Sequence, residues 1–133
     1  MKKTLLLFIA SVLAITFSIS AIPLDAEAAG TKYKHNDTGF TCYKMSYYIS
    51  PSKTKKLKKQ TKKLNSISVI TNFIGLSGLT PGVVSLAFGS AVSANQVFIK
   101  AANKNKGVQI SYNVHFSNYT TYSYMSNVKY IIK

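Results

Sequence analysis

The chain has 133 residues, with seventeen lysines, no arginine and three acids, a formal net charge of +14 at pH 7. One cysteine excludes an internal disulfide, and Asp37, the single acid after residue 28, excludes the paired carboxylates of general acid–base catalysis in that part of the chain. The missing arginine argues against sequence-specific nucleic-acid recognition, which draws on arginine's planar fork, and leaves diffuse attraction to a polyanionic surface.

In chain order, Lys2 and Lys3 precede an uncharged run from Leu5 to Ile22. Pro23 ends it, and Ala26-Glu27-Ala28 offers small residues at both cleavage positions. This pattern predicts a signal peptide over 1–28, cleaved after Ala28, and a secreted product. The run approaches the ~20 apolar residues that span a bilayer, so the alternative is a protein membrane-anchored through an uncleaved N-terminal segment. Ser11, Thr16, Ser18 and Ser20 dilute the run and favour cleavage. Cleavage removes Asp25, Glu27 and two lysines, leaving fifteen lysines against Asp37 and the same net charge.

The polar residues 29–39 predict a flexible N-terminal lead, and 40–133 a single small basic domain. Phe40–Ile49 places Thr41, Tyr43, Met45, Tyr47 and Ile49 on one face at period two, which predicts a strand stopped by Ser50-Pro51. Ser52 then caps a predicted helix over 53–74. Its first half carries Lys53, Lys55, Lys56, Lys58, Lys59, Lys62 and Lys63, spread round the axis so that no face is free for burial. Its second half carries an apolar stripe of Ile67, Ile70 and Ile74. Gly75 to Gly78 breaks the helix.

Thr80-Pro81 starts a second helix running to about Ala102. Ser85, Gly89, Ser93, Gln96 and Lys100 form its narrow polar face, and the rest of its circumference is mostly apolar. A turn at 103–107 leads to Val108–Phe116, which alternates as a half-buried strand, and 120–132 supplies another. The expectation is an α+β fold in the order β-α-α-β-β: a three-stranded antiparallel sheet (40–49, 108–116, 120–132) covered by a helical hairpin.

No ionisable charge falls between Ser66 and Ile99. That stretch is expected to pack on the sheet as core at rest and to open at a membrane, its two arms being short of the ~20 residues of a span. The candidate membrane-contact residues are Ile67, Ile70, Phe73, Ile74, Val84, Phe88, Val92 and Phe98. The seven lysines at 53–63 are the candidate anionic-surface contacts, each contributing on the order of 1 kcal/mol near an anionic membrane. A lysine cluster also serves as an ordinary solvated face, and heavy Lys, Asn and Ile usage also fits AT-rich coding.

No catalytic residue, metal site or cofactor is expected. His35, His115 and Asp37 are too few for a convincing metal site. His115 falls on the polar side of its strand, where solvation is the ordinary expectation. Cys42 reads as a buried small side chain, with a disulfide to a second copy as the alternative and a Cys42–His115 nucleophile pair as a remote one. The nine tyrosines lie outside the helical hairpin and favour strands; with lysines nearby they can also stack bases or sugar rings.

With its signal peptide, its Lys53–Lys63 cluster and its apolar hairpin over Ile67–Ile99, the chain is similar in general outline to small secreted bacterial bacteriocins. The lysine cluster, providing attraction, and the hairpin, providing insertion, lead to the expectation of a non-enzymatic, membrane-active or envelope-binding secreted protein whose partner is an anionic membrane surface or cell-envelope polymer. The alternative is a soluble secreted module that binds a polyanion, a wall polymer or nucleic acid, without insertion.

Overall fold

The computed structural model describes residues 28–34 and 38–133. The predicted signal peptide up to Glu27, and with it His35 and Asp37, lies outside the described residues. The elements are β1 (Ala28–Tyr33), β2 (Phe40–Ile49), α1 (Pro51–Lys59), α2 (Ile67–Ile74), α3 (Pro81–Phe88), α4 (Ala91–Asn103), β3 (Val108–Ser117) and β4 (Ser123–Ile132).

The fold is α+β, and its sheet has four antiparallel strands in the order β1-β2-β3-β4 rather than three. The additional strand, β1, falls in the stretch whose polarity suggested a lead. Its sequence, AAGTKY, has no apolar alternation, so side-chain pattern could not reveal it. Backbone pairing with β2, from Ala28 opposite Tyr47 to Tyr33 opposite Cys42, defines it instead.

The predicted hairpin of two long helices is four short ones. The first break, at 60–66, follows six lysines at 55–63 that meet one another at i+3 and i+4, where like charges disfavour a continuous helix. Asn65 is exposed there, and Ser66 caps α2 by accepting from the Val69 amide at 3.3 Å. The second break is Gly89, held at φ +80°, after which Ser90 caps α4 by accepting from the Ser93 amide. The cap of α1 is Ser50, two residues before the expected Ser52, with Pro51 in the first turn.

The core lies between one sheet face and the helices. Tyr47 and Ile49 of β2, with Val108, Ile110 and Tyr112 of β3, meet Leu57, Leu64, Ile70, Ile74, Val84 and Phe98. Gly107 closes the end of the sheet by exchanging both backbone bonds with Lys133 (2.9 and 3.1 Å). A Cβ there would strike the Ile49 carbonyl and the Tyr48 ring, so only glycine fits.

Tyr47 and Tyr112 stack at 6.1 Å within this core. Burial, and next a hydrogen bond with the Tyr47 side chain, push the Tyr112 hydroxyl well above the ordinary phenol range. A raised folded-state value means that the neutral ring's contribution is complete below about pH 10 and is lost as pH rises beyond it. Tyr112→Phe is therefore expected to flatten the fall in urea-unfolding free energy between about pH 9 and pH 11. An unchanged slope would assign that fall to other groups.

Candidate functional site

The seven lysines at 53–63 do not surround a fully solvated helix. Thr54 and Leu57, three positions apart, form a buried stripe by which α1 packs on α4, so the expectation that no face could be buried is corrected. Thr54 Oγ1 lies 2.9 Å from both the Pro51 and Lys106 carbonyls and shares its hydrogen between them. Lys53 turns inward: its Nζ donates to the Phe73 carbonyl at 3.4 Å and sits 5.6 Å from that ring's centroid. Lys58 donates to the Asn103 side chain. Lys55, Lys56, Lys59, Lys62 and Lys63 are exposed.

These contacts bring α1 to the α4–β3 turn, and so gather lysines that the sequence reading left as turn residues. Lys104 and Lys106 are exposed in that turn, and the backbone of Lys133 pairs with Gly107 beside it. Lys133 Nζ lies 5.6 Å over the Tyr48 ring. No acidic side chain occurs among the described residues, so none of them pairs with the lysines gathered at this end of the sheet. The Asn-Lys-Asn-Lys-Gly run was the available signal, but proximity to α1 required the Thr54–Lys106 contact.

The eight apolar candidates divide unevenly. Ile70, Ile74, Val84, Phe88 and Phe98 are buried, and Ile67 and Phe73 are partly buried against the same core. Val92 alone points outward, 68 % exposed, and Leu86 across the Gly89 break is 57 % exposed. The break therefore forms an elbow with an apolar residue on either side. No described helix is by itself long and apolar enough to cross a membrane, but α3 and α4 together are, bent by 76° at the elbow. Phe88 at the elbow touches Tyr130 (4.9 Å), whose β3 partner is Ile110. That contact puts the elbow over the half of the sheet nearer the lysine patch.

On the opposite sheet face, the register aligns Tyr33, Cys42, His115 and Tyr124 in one row across all four strands. Cys42 Sγ is 2.7 Å from His115 Nδ1, and His115 Nε2 is 2.9 Å from Ser126 Oγ. Tyr124 stacks on the imidazole at 4.4 Å, and Tyr33 approaches its edge at 6.2 Å. Cys42 and His115 are each 1 % exposed, so the expectation of a solvated His115 is corrected: aromatic neighbours from β1 and β4 cover it. The imidazole is placed to accept the thiol proton, but the sulfur is sealed against anything of substrate size while β1 is paired.

His115→Ala, which empties a buried site and strips partners from Cys42 and Ser126, is expected to cost about 2–4 kcal/mol in urea unfolding. A Cys42→Ala variant that folds should keep the parent protein's activity; loss of activity in a folded Cys42→Ala protein would reinstate a chemical role for the thiol.

Among the described residues no group of three or more His, Cys, Asp or Glu side chains is placed to hold a metal ion. No curated protein and no solved structure matches the chain. A family model described as the bacteriocin 51 precursor BacA matches residues 27–133, and the chain belongs to that family.

Proposed function

We propose that this protein is an exported, non-enzymatic bacteriocin that acts at an anionic membrane surface. Membership of a bacteriocin precursor family supports export and antimicrobial action, and accords with the N-terminal pattern of a charged start, an apolar run and Ala-x-Ala. The observation that carries the membrane reading is the elbow of α3 and α4, over the same half of the sheet as the acid-free lysine patch.

In this reading the exposed lysines collect the protein on anionic head groups, and the elbow meets the interface with Leu86 and Val92. Insertion then straightens the bent pair. Residues 81–103, as one helix, extend to about 34 Å, enough to cross the hydrocarbon core. Their one charge is Lys100 near the C-terminal end, from which a lysine reaches the head groups. The buried apolar residues of α3 and α4 are thus the face that exchanges protein core for lipid.

The test is flotation of the protein lacking residues 1–28 with vesicles of phosphatidylcholine alone or mixed with phosphatidylglycerol. Co-flotation with the anionic vesicles, weakening as salt rises, is the expected result. Equal recovery with both vesicle types would remove the electrostatic step, and recovery with neither would remove the membrane reading in favour of a soluble polyanion binder.

A further inference from the structure

The sheet face away from the helices continues past the Cys42–His115 row into polar rows. Lys44 of β2 stands opposite Asn113 of β3, and Ser111 of β3 stands opposite Lys129 of β4. Between those rows β4 carries one residue more than β3, so Asn127 and Val128 together face Tyr112. Asn127 takes a left-handed φ of 53° at this β-bulge, a device that bends a strand and re-aims a side chain. A cavity of about 480 Å³ lies at the bulge, lined by Lys44, Ser111, Asn113, Asn127 and Lys129 among others.

The polar groups of the cavity are unspent. Elsewhere on this face Gln109 donates to Ser46, and Ser126 is bonded to His115. The side chains of Ser111, Asn113 and Asn127 bond no other group among the described residues. They are the placed polar groups by which a pocket orients a ligand. Charge sets the sign of that ligand. Lys44 and Lys129 are exposed at the cavity, and no acidic side chain occurs among the described residues. Lys44 Nζ lies 5.3 Å over the Tyr33 ring, which holds its stem in place. Lysine takes phosphate as a point charge, whereas a planar carboxylate draws on the arginine fork that the chain lacks. Met45 and Val128, the apolar residues at the cavity, are partly buried against the core, so no exposed apolar side chain is there to enter a bilayer. The elbow of α3 and α4 lies on the other face of the sheet, where Phe88 meets Tyr130.

We propose that this cavity binds the phosphodiester backbone of a polyol-phosphate polymer. Lys44 and Lys129 attract the phosphate, and the Asn113 and Asn127 amides donate to its non-bridging oxygens. The amide carbonyls and Ser111 Oγ meet the hydroxyls of the linking polyol, since each of these side chains both donates and accepts. Because the site and the elbow lie on opposite faces of the sheet, the folded protein can hold such a polymer while its helices meet a bilayer. The site does not depend on insertion and stands whether or not the elbow opens.

The test is retention of the protein lacking residues 1–28 on immobilised poly(glycerol phosphate) at about 0.15 M salt. Diffuse attraction depends on charge alone, so the informative variant is neutral. Asn113→Ala/Asn127→Gly keeps every lysine, and glycine holds the left-handed φ without strain. Retention is expected to fall roughly tenfold or more in that variant, with flotation on anionic vesicles unchanged. Urea unfolding shows whether the double variant is folded. Lys129→Gln, at an exposed position, should lower retention severalfold and carries the test if it is not. No retention of the parent, or retention undiminished in the folded variants, would overturn the proposal. Equal loss on polygalacturonate would make the site one for carboxylates, and loss of vesicle flotation in the folded double variant would make it one for lipid; either result overturns it too.

Discussion

Replacing Lys55, Lys56, Lys59 and Lys62 by glutamine is expected to weaken binding to anionic vesicles by about three orders of magnitude at physiological salt. At on the order of 1 kcal/mol per lysine, four exposed charges amount to roughly 4 kcal/mol, and each 1.4 kcal/mol is tenfold. These four were chosen because Lys53 and Lys58 are held by hydrogen bonds within the chain, Lys53 to the Phe73 carbonyl and the exposed Lys58 to the Asn103 side chain. The variant should therefore unfold at nearly the same urea concentration as the parent, or later, because it relieves repulsion along α1. A vesicle titration checks the affinity, and the urea midpoint checks the fold. Binding reduced less than tenfold, with the fold intact, would move the attachment site away from α1.

The second large effect is expected at Gly89. Its φ of +80° puts it in a region that L side chains rarely adopt, although no atom lies within 4 Å of a built Cβ. The cost of Gly89→Ala is thus conformational rather than steric, roughly 1–3 kcal/mol against the bent state. In a straight helix the same substitution gains about 1 kcal/mol from propensity. Both terms push toward the extended helix, so the population of the opened form should rise more than tenfold, with a matching loss of stability in solution. Urea unfolding in buffer and the rate of dye release from anionic vesicles should move together. A destabilised Gly89→Ala protein with unchanged or slower release would show that straightening of α3 and α4 is not part of insertion.

Three of the four strands were legible in the sequence because each follows period-two alternation: 40–49 matches β2 at both ends, and β3 and β4 fall within a few residues of expectation. The restart of helix at Thr80-Pro81 was legible from capping chemistry, and Thr80 Oγ1 accepts from the Val83 amide as that reading requires. β1 was hidden because its evidence is backbone pairing along an edge. The elbow was hidden for another reason. Gly89 fitted the narrow polar face of a continuous helix, and composition alone does not distinguish a small surface residue from a break. Leu57 was overlooked among lysines, although with Thr54 it decides which way α1 faces.

The site was half legible. Lysine density announced a cationic surface, but the joining of Lys104, Lys106 and Lys133 to it depends on a fold that brings the chain's last residue beside Gly107. Cys42 was readable as buried. The burial of His115 was not, since period two put it on the polar side, and only the row of Tyr33 and Tyr124 across neighbouring strands explains it.

The most direct test of the central claim is release of a trapped dye from vesicles by the protein lacking residues 1–28, at about 0.15 M salt. Release from vesicles containing phosphatidylglycerol, little from phosphatidylcholine alone, and loss of release when the four lysines are replaced is the predicted result. Anionic vesicles that stay sealed while the folded protein kills sensitive bacteria would contradict it.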